Sequence, residues 1–419
     1  MNMKRWLPII AILAAGIIGA ILLSRPDVPF SPAPSGTIDS NALARVRVSG
    51  GGSHALAIAP DGSLWSWGEN SSALGLRNLA SAMPRPTRVG TNSDWAKIDA
   101  GYTASFAIKQ DGSLWVWGSN PSGMLGNSNS LPLSTPTLVG TDHDWIAAGP
   151  GLHHSAGLKR DGSIWTWGAN NFGQLGRDTP NGATSQSFVP AQVGSETNWK
   201  SLAVGALHNV AIKTDGTLWT WGDSGLGPVT ANHPSNNNTP VKVGTETNWI
   251  ALASGQYHTL ALRSDGTLWH WGRNAHLLGG IPPADPSKPR QLGTNTNWTA
   301  IYSGAYHNLA RRADGSVWQL GRLNGGFSGE PVITHVGADW VAVGGGERFS
   351  LAVAQDGSLW HWGAMIGAKK EPWLIKRIIG GVLTKFGVQN NFNQSTTPDR
   401  LVPEKIFQLP FPSATVTNL

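Results

Sequence analysis

The sequence predicts an all-β fold: a seven-bladed β-propeller of repeats about 50 residues long, preceded by an N-terminal transmembrane helix. The octapeptide DGSLWSWG, at Asp61 to Gly68, returns in seven copies, which indicates stacked units or a closed ring. Short apolar runs without a helical period separate the copies, which favours strands. An uncharged run from Trp6 to Leu23 predicts the helix. The 419 residues therefore form one large array rather than two or three ordinary domains.

The uncharged run near the N-terminus is long enough for a membrane anchor. Its 18 residues would span about 27 Å as a helix, at about 1.5 Å per residue. A cleaved signal peptide is the alternative, but its apolar region is usually about 7 to 15 residues long and ends at a small-residue site, which this run lacks. Lys4 and Arg5 precede the run and only Arg25 closely follows it, so the positive-inside rule places the N-terminus in the cytoplasm.

We therefore predict a single-pass membrane protein whose repeats lie outside the cytoplasm, in the periplasm or at the cell surface. Pro, Ser and Gly are frequent after the helix, which is typical of an extended spacer. The predicted boundaries are a cytoplasmic stub and signal anchor at 1–25, a linker at 26–43, the propeller at 44–412 with an amphipathic insertion at 369–397 in its last blade, and a tail at 413–419.

The Asp-Gly pair of each copy lies between two apolar runs and predicts a β-hairpin. In the first copy, Asp61 and Gly62 would form a two-residue type I′ turn, which requires positive φ. Trp65 and Trp67 follow on the next strand and point to the same face of the sheet. We predict that these aspartates form turns and do not act as acid catalysts. The equivalent turns begin at Asp111, Asp161, Asp215, Asp265, Asp314 and Asp356.

Further Trp and Gly residues recur in fixed registers that predict a core and an axis. A third Trp stands sixteen residues before the Asp in six copies, and the three registers together hold 19 of the chain's 21 Trp. Such Trp residues are predicted to form the core rather than ligand platforms. A Gly ten residues before each Asp favours strands that crowd toward the axis of a closed ring. These glycines are Gly51, Gly101, Gly151, Gly205, Gly255, Gly304 and Gly346.

The pattern GxxHxxAIxxDGxLWxWG resembles the regulator of chromosome condensation repeat family, in its bacterial form. The resemblance covers roughly Ala44 to Phe411, and the third copy also carries the Gly-Gln-Leu-Gly tail of the family motif at Asn171 to Gly176. The resemblance implies a seven-bladed propeller. It also implies two kinds of function, because eukaryotic relatives are nucleotide exchange factors for small GTPases and bacterial relatives include a secreted inhibitor of β-lactamase.

A histidine stands seven residues before the Asp in five copies. A metal or proton-relay ring is the functional interpretation. However, sheets pack about 10 Å apart whereas zinc ligands lie about 2 Å from the ion, so equivalent histidines should not meet at one metal. We predict framework histidines held by local hydrogen bonds, and we expect no metal, cofactor or catalytic site. The five are His54, His154, His208, His258 and His307.

Charge and composition exclude several classes of function. Of the net charge of +6, residues 1–40 contribute +1 and residues 369–397 contribute +4, so the repeat body is nearly neutral. We therefore expect no nucleic-acid partner. The chain has no Cys, which excludes disulfides and thiolate catalysis. No phosphate-binding loop, Ser/His/Asp spacing or nucleophile elbow occurs, so we do not expect an enzyme.

The last repeat departs most from the pattern. The stretch from Trp373 to Phe386 carries an apolar helical stripe beside basic residues, and two interpretations stay open: an interfacial helix on anionic lipid or a helix packed over the propeller. We also predict that the tail up to Phe411 closes the ring by pairing with the strand near Arg45 to Val48. The residues predicted to contact membrane are Trp6, Leu23, Trp373, Lys376, Arg377, Ile378 and Ile379.

Uneven loops follow each WxWG, and such loops on a rigid scaffold usually carry binding specificity. We predict a non-enzymatic, membrane-anchored, monomeric scaffold that binds another protein through these loops. One alternative is a guanine-nucleotide exchange factor or GTPase regulator, by family analogy, although GTPases are cytoplasmic. Another is a cell-envelope carbohydrate binder or enzyme inhibitor. The loops are Asn127 to Pro136, Arg177 to Pro190, Thr230 to Pro240 and Gly279 to Pro289.

Overall fold

The chain forms seven four-stranded antiparallel sheets, the blades of a β-propeller, and each blade consists of four consecutive strands. The predicted all-β, seven-bladed propeller is confirmed. One short helix, α1 (Ser40–Leu43), precedes the first blade. The computed structural model describes residues 40–69, 72–77, 82–178, 186–223, 236–272, 288–321, 333–337, 340–363 and 403–410.

Every strand occupies one of four positions in its blade, counted outward from the axis. The first strands are β1 (Arg47–Gly50), β5 (Trp95–Ala100), β9 (Trp145–Pro150), β13 (Trp199–Val204), β17 (Trp249–Ser254), β21 (Trp298–Ser303) and β25 (Trp340–Gly345). The second strands are β2 (His54–Ile58), β6 (Ala104–Lys109), β10 (His154–Lys159), β14 (His208–Lys213), β18 (Thr259–Arg263), β22 (His307–Arg312) and β26 (Phe349–Ala354). The third strands are β3 (Leu64–Gly68), β7 (Leu114–Gly118), β11 (Ile164–Gly168), β15 (Leu218–Asp223), β19 (Leu268–Trp271), β23 (Val317–Gly321) and β27 (Ser358–Gly363). The fourth strands are β4 (Met83–Arg88), β8 (Leu133–Leu138), β12 (Ser187–Gln192), β16 (Asn236–Val243), β20 (Arg290–Gln291), β24 (Ile333–Gly337) and β28 (Glu404–Gln408).

The Asp-Gly hairpin joins the second and third strands, but the predicted type I′ turn is wrong. Gly62 N donates to Ala59 O at 2.9 Å, and Ala59 N donates to Ser63 O at 2.9 Å, so the loop has three residues. Gly62 has a φ of 80°, whereas Asp61 is not among the described residues with positive φ. This is a type I turn followed by a left-handed glycine, the other common hairpin loop. A Cβ on Gly62 would also clash with the Ser93 carbonyl of the adjacent connection.

The turn aspartate acts through its side chain. Asp61 Oδ1 accepts hydrogen bonds from Ser63 N at 2.9 Å and from Ser63 Oγ at 2.5 Å. Ser63 Oγ in turn accepts one from Trp65 Nε1 at 2.8 Å. The same Asp, Ser or Thr, and Trp relation recurs in the other six blades. One residue therefore terminates the hairpin and orients the first Trp of the third strand.

The second Trp of the third strand joins neighbouring blades. Trp117 is fully buried, and its Nε1 donates to the Ala73 carbonyl of the preceding blade at 2.7 Å. Trp167 makes the equivalent bond to the Met124 carbonyl at 2.8 Å. Leu320, the one replacement in this register, is also fully buried. The second Trp register thus forms core between blades.

Backbone hydrogen bonds run from blade to blade around the axis. Among the described residues, bonds of this kind span six of the seven junctions. A Cβ on Gly51 would clash with the Gly101 carbonyl and with the His54 imidazole, which explains why this register holds glycine. The donor and acceptor pairs are Gly52 N to Gly101 O, Leu152 N to Ala206 O, Ala206 N to Gln256 O, Gln256 N to Ala305 O, Ala305 N to Gly346 O, and Glu347 N to Gly51 O.

The C-terminal strand completes the last blade. The prediction that it pairs with the strand near Arg45 to Val48 is wrong, because β28 pairs with β27. Contact with the first blade is made by side chains instead. The Phe407 ring lies 5.4 Å from the Trp65 ring, and buried Leu409 packs in one cluster with Val46. The ring therefore closes by packing and by the Glu347 to Gly51 hydrogen bond rather than by a shared sheet.

Several predicted segments lie outside the described residues. These are the signal anchor, the insertion and every residue predicted to contact membrane: Trp6, Leu23, Trp373, Lys376, Arg377, Ile378 and Ile379. Within the described part of the chain, no helix combines the length and the apolar character needed to cross a bilayer.

Candidate functional site

The two ends of the ring carry different connections. At one end, which we call the loop face, the connection from the first to the second strand lies beside the loop after the third strand. Ser119 N, for example, donates to Thr103 O at 2.9 Å. At the opposite end, the turn face, the Asp-Gly turns meet the connections between blades, as where Trp145 N donates to Gly112 O at 3.1 Å. The third strands end at the loop face, so the connections in which the predicted binding loops occur start from that face. Only 127–136 of them is described in full.

Exposed apolar side chains gather on the loop face at the second and third blades. Leu131 is 67% exposed, Tyr102 45% and Phe172 36%. Leu131 and Phe172 belong to the loops after β7 and β11, and Tyr102 to the connection between β5 and β6. Exposed apolar and aromatic side chains on the loops of one face favour protein binding at that face.

An asparagine network fixes the loop that presents Leu131. Asn120 Oδ1 accepts a hydrogen bond from Leu125 N at 2.9 Å, and Asn120 Nδ2 donates to the Leu131 carbonyl at 3.1 Å. Asn129 Oδ1 accepts one from Leu131 N at 2.8 Å. Because both backbone groups of Leu131 are hydrogen-bonded, the loop backbone at this residue is preorganised.

A central channel opens at the loop face. It is lined by the first strands of all seven blades and the connections that follow them, and its volume is about 360 Å³. Two of its lining residues are charged, Asp99 and Glu347, and both are acidic. All four tyrosines of the chain belong to this region. Tyr102 and Tyr302 line the channel, and Tyr257 and Tyr306 lie on the adjoining connections at the loop face.

The channel disfavours the ionised form of both of its acidic side chains, Asp99 and Glu347. The Asp99 side chain is exposed to the lumen, but all seven blades enclose that lumen, and the loss of bulk water raises the pKa of Asp99 to about 7. Hydrogen bonds from the Ala100 backbone and from Ser49 oppose this rise without cancelling it. Burial also raises the pKa of Glu347, and the Arg348 guanidinium nearby only partly offsets the effect.

The five repeat histidines lie between blades and away from the channel surface. Each is fully buried, and each Nε2 meets a polar side chain of the next blade. His54 Nε2 lies 2.8 Å from Ser105 Oγ, and His208 Nε2 lies 3.0 Å from Thr259 Oγ1. His154 meets Asn209 at 3.1 Å, His258 meets Asn308 at 2.8 Å, and His307 meets Ser350 at 2.7 Å. Within the described residues, no three His, Asp or Glu side chains are arranged to hold a metal ion.

Desolvation keeps these histidines neutral. Burial lowers the pKa of His54, His154 and His258 to about 4, and that of His208 and His307 to about 3. The geometry is that of a framework bond between blades, and two of the partner side chains, Ser105 and Asn209, also donate to a carbonyl of the preceding blade. Ser105 Oγ, for instance, donates to the same Ala73 carbonyl that receives Trp117.

The sequence interpretation overlooked one framework register and the tyrosines. Five blades carry a cation at the end of the second strand, packed between the Trp of the first strand and the first Trp of the third. Lys213 Nζ lies 4.7 Å from the Trp199 ring centre and 3.8 Å from that of Trp219, and it forms a 2.6 Å ion pair with Glu196. The five cations are Lys109, Lys159, Lys213, Arg263 and Arg312.

Comparison with known families identifies the repeat. Two models described as the regulator of chromosome condensation (RCC1) repeat match the chain. The first covers residues 161–212 and 215–262, and the second covers residues 46–73, 95–123, 146–174, 199–227 and 249–276. These matches fall on the first five blades, the part of the chain where the repeat is most regular. No curated protein sequence gives a significant match.

Solved structures of low sequence identity share the fold. Prp20p from Saccharomyces cerevisiae, studied for its binding to Gsp1p and histones, is 24% identical, with a TM-score of 0.63 over 73% of this chain and 81% of that one. The same yeast protein, solved with Kap60, gives 22% identity and a TM-score of 0.63 over 79% and 82% of the two chains. Human WBSCR16 gives 18% identity and a TM-score of 0.65 over 74% and 87%.

Proposed function

Because this chain belongs to the regulator of chromosome condensation repeat family, we propose that it is a non-enzymatic scaffold that binds another protein through its loop face. The observation that carries the proposal is the set of three exposed side chains, Tyr102, Leu131 and Phe172, on one end of two adjacent blades. Propellers commonly place binding residues on loops held by a rigid ring.

The packing of the described Trp residues argues against a carbohydrate-binding platform built from them. The second Trp of the third strand is buried between blades, and the first packs against its own turn and the first-strand Trp, as Trp165 does against Trp145 at 6.4 Å. No described Trp is therefore free to act as a flat sugar platform, whereas Leu131 offers apolar area without a hydrogen-bonding edge. A surface of this kind gains affinity mainly from desolvation.

Guanine-nucleotide exchange is the function that the family suggests next. Prp20p is similar enough to share the fold, but at 24% identity its binding to Gsp1p is not carried over to this chain. No described residue singles out exchange over another form of protein binding.

We also propose that the propeller lies outside the cytoplasm on a single-pass anchor. The support is the sequence alone: an uncharged run at Trp6 to Leu23, preceded by Lys4 and Arg5. A neutral repeat body without Cys is compatible with that placement. A monomer with one protein partner is the simplest arrangement, since the ring is closed and leaves no unfilled blade position.

The absence of native Cys allows both proposals to be tested in one experiment. Leu131→Cys places a single thiol on the loop face, and Ile250→Cys, at a side chain 44% exposed near the turn-face end of β17, is the matched control. We expect a membrane-impermeant maleimide to label both variants on intact cells. We further expect a thiol-directed photocrosslinker to give a protein adduct from position 131 but not from position 250.

The two readouts fail independently. Labelling only after the membrane is permeabilised would place the propeller in the cytoplasm and sink the anchor proposal. Adducts from position 250 alone, or equally from both positions, would remove the loop face as the binding surface. Phe172→Asp, a second change on the same face, should abolish the adduct from position 131 if the contact is specific.

A further inference from the structure

We propose that the central channel is a binding site for an organic cation, an ammonium or guanidinium group that enters from the loop face. This goes beyond the proposed scaffold function and does not require it, because the group could be a Lys or Arg side chain of a protein partner or a free polyamine. The chemistry is shared by both sources, and only the test separates them.

The charge of the channel is the first argument. Asp99 and Glu347 are its charged lining residues, and they stand on blades two and seven, on either side of the first blade. Two basic residues, Arg47 and Lys97, occur on the first strands of blades one and two, but neither lines the channel, and each donates to a backbone carbonyl. Arg47 Nη1 donates to the Ala44 carbonyl at 2.7 Å, and Lys97 Nζ donates to the Ile146 carbonyl. Among the described residues, the channel lining therefore holds two acids and no cation, and Arg348, which pairs with Glu347, lies outside the lining.

The enclosure of the lumen strengthens this attraction. Asp99 Oδ2 lies directly over Gly149 of the third blade, where a Cβ would clash with it, so the carboxylate lies against the first strand of that blade. Its hydrogen bonds from the Ala100 backbone and Ser49 do not offset the loss of bulk water, which raises its pKa to about 7. An entering cation would stabilise the ionised carboxylate, and the low local dielectric makes such a pair stronger than the same pair on an open surface.

The tyrosines supply the second argument. Tyr102 and Tyr302 line the channel, and Tyr257 and Tyr306 each stand two residues after a lining glycine, Gly255 and Gly304, so the four tyrosines lie around one opening. Aromatic rings bind cations through their negatively charged faces, and several rings beside a carboxylate form the environment that quaternary ammonium and guanidinium groups prefer. The wall also holds two buried acceptors, Ser254 Oγ and Gln256 Oε1, for which the described residues provide no hydrogen-bond donor.

The dimensions fit a small group and not a folded domain. The cavity of about 360 Å³ lies at the lower end of the range for small-molecule sites, roughly 300 to 1,000 Å³. Arg348 marks the rim. It is 58% exposed, and its Nε lies 3.7 Å from Glu347 Oε1, too far for a hydrogen bond. Arg348 therefore competes weakly with an entering cation for Glu347.

The test uses the full-length protein in detergent and three probes measured by ligand-observed NMR. The probes are Nα-acetyl-arginine methylamide, its neutral isostere Nα-acetyl-citrulline methylamide, and spermidine. We expect the arginine probe to bind and the citrulline probe to bind at least about tenfold more weakly, since the loss of one close charge pair is worth about that factor. Spermidine should compete with the arginine probe. If the arginine probe binds more tightly than spermidine, the natural cation is a side chain; if spermidine binds more tightly, it is a free polyamine.

Single substitutions locate the site and control for misfolding. Asp99→Asn and Glu347→Gln should each weaken the arginine probe by about tenfold. Arg348→Gln should strengthen it, a sign that misfolding cannot produce. Asp178→Asn, which removes an exposed acid from the same face outside the channel, should change nothing. Equal binding of the arginine and citrulline probes, or unchanged arginine affinity in the Asp99→Asn, Glu347→Gln double variant, would overturn the proposal. Because no partner is present, these outcomes do not depend on the crosslinking result.

Discussion

Each repeat histidine joins two blades through one buried hydrogen bond. His54 of the first blade is hydrogen-bonded to Ser105 of the second, and the Ser105 hydroxyl donates to the Ala73 carbonyl of the first blade. Two hydrogen bonds in series therefore link these blades. The second Trp of the next blade, Trp117, donates to the same carbonyl. A single backbone oxygen therefore fixes both a strand and a core side chain, and loss of the imidazole would affect both.

These histidines make stability depend on pH. Their pKa values in the folded protein, about 3 to 4, lie below the unfolded value near 6.5, so only the unfolded chain takes up protons between those limits. The free energy of unfolding should fall as the pH drops from about 6.5 toward 4, by up to about 1.4 kcal/mol per pH unit for each histidine. Asp99 acts in the opposite direction throughout this range, because its pKa is raised from 3.8 to about 7 in the folded protein.

The slope is measured by urea unfolding at several pH values. His208→Phe, which introduces the residue that the seventh blade carries at Phe349, should reduce the slope by about one proton, or about 1.4 kcal/mol per pH unit. Leu131→Ala, at an exposed side chain of the loop face that carries no titratable group, is the control and should leave the slope unchanged. Identical slopes in the wild type and His208→Phe would show that this imidazole is not held neutral.

At the same scale, residues in a fixed register could be interpreted from the sequence and residues outside one could not. The turn Asp, its Gly and the Trp residues recur at constant spacing, so their structural role was predictable. The tyrosines stand at varying distances from the axial glycine: Tyr102 one residue after it, Tyr302 two before it and Tyr306 two after it. Their common location emerges only when the blades are brought around one axis. All the tyrosines lie within two residues of an axial glycine, and this sequence signal could have predicted their location at the channel.

At the level of the blade, a cation packed between two indoles ties the first, second and third strands together. Lys213 closes the hairpin of the fourth blade in this way, with 5% of its side chain exposed and Glu196 as its ion-pair partner. Cation–π contacts and desolvated ion pairs each contribute more when water is excluded. The fifth and sixth blades use Arg263 and Arg312 in the same register.

Three substitutions at Lys213 and its ion-pair partner Glu196 should rank in order of their cost in the free energy of unfolding. Lys213→Arg should change the free energy of unfolding by less than about 0.5 kcal/mol, because neighbouring blades hold Arg there. Glu196→Gln should cost up to about 1 kcal/mol, since Glu196 is half exposed. Lys213→Met, which retains the apolar stem, should cost about 1 to 3 kcal/mol through loss of both contacts. Urea unfolding tests the ranking, and a Lys213→Met protein as stable as the wild type would contradict it.

The hairpin turn shows what an Asp-Gly pair leaves undetermined. Both a two-residue type I′ turn and a three-residue type I turn with a left-handed glycine accommodate the pair. The choice depends on whether the residue before Asp61 belongs to the strand or to the loop. Pro60 belongs to the loop, because Ala59 and Ser63 form the closing hydrogen bonds. Proline cannot donate such a bond, and in retrospect that favoured the longer loop.

At the scale of the whole molecule, closure of the ring depends on the packing of β28. Leu409 is buried in a cluster that also holds Val46 and Leu359, so it contacts the first blade and the last. The seventh blade was predicted from its octapeptide, but the origin of its fourth strand was not. A strand at 404–408 follows the preceding strand only after a long interval, and local spacing cannot show which edge such a strand joins.

Removal of the Leu409 side chain tests this closure. Leu409→Ala should lower the free energy of unfolding by about 2 to 5 kcal/mol, the usual cost of such a buried truncation. Lys405→Ala, on the same strand but partly exposed, should cost less than about 1 kcal/mol. Thermal unfolding measures both. If Leu409→Ala had the same midpoint as the wild type, β28 would not contribute to closing the ring.

The construction of every blade from four consecutive strands has a consequence for how the chain could be cut. No sheet takes strands from both chain ends, and the two ends of the ring pack side by side through Val46 and Leu409. A circular permutant opened at a connection between blades, such as the one at Gly140, would keep all seven sheets intact. The fold therefore does not require any particular blade to come first, and we expect a circularly permuted sequence to form the same ring.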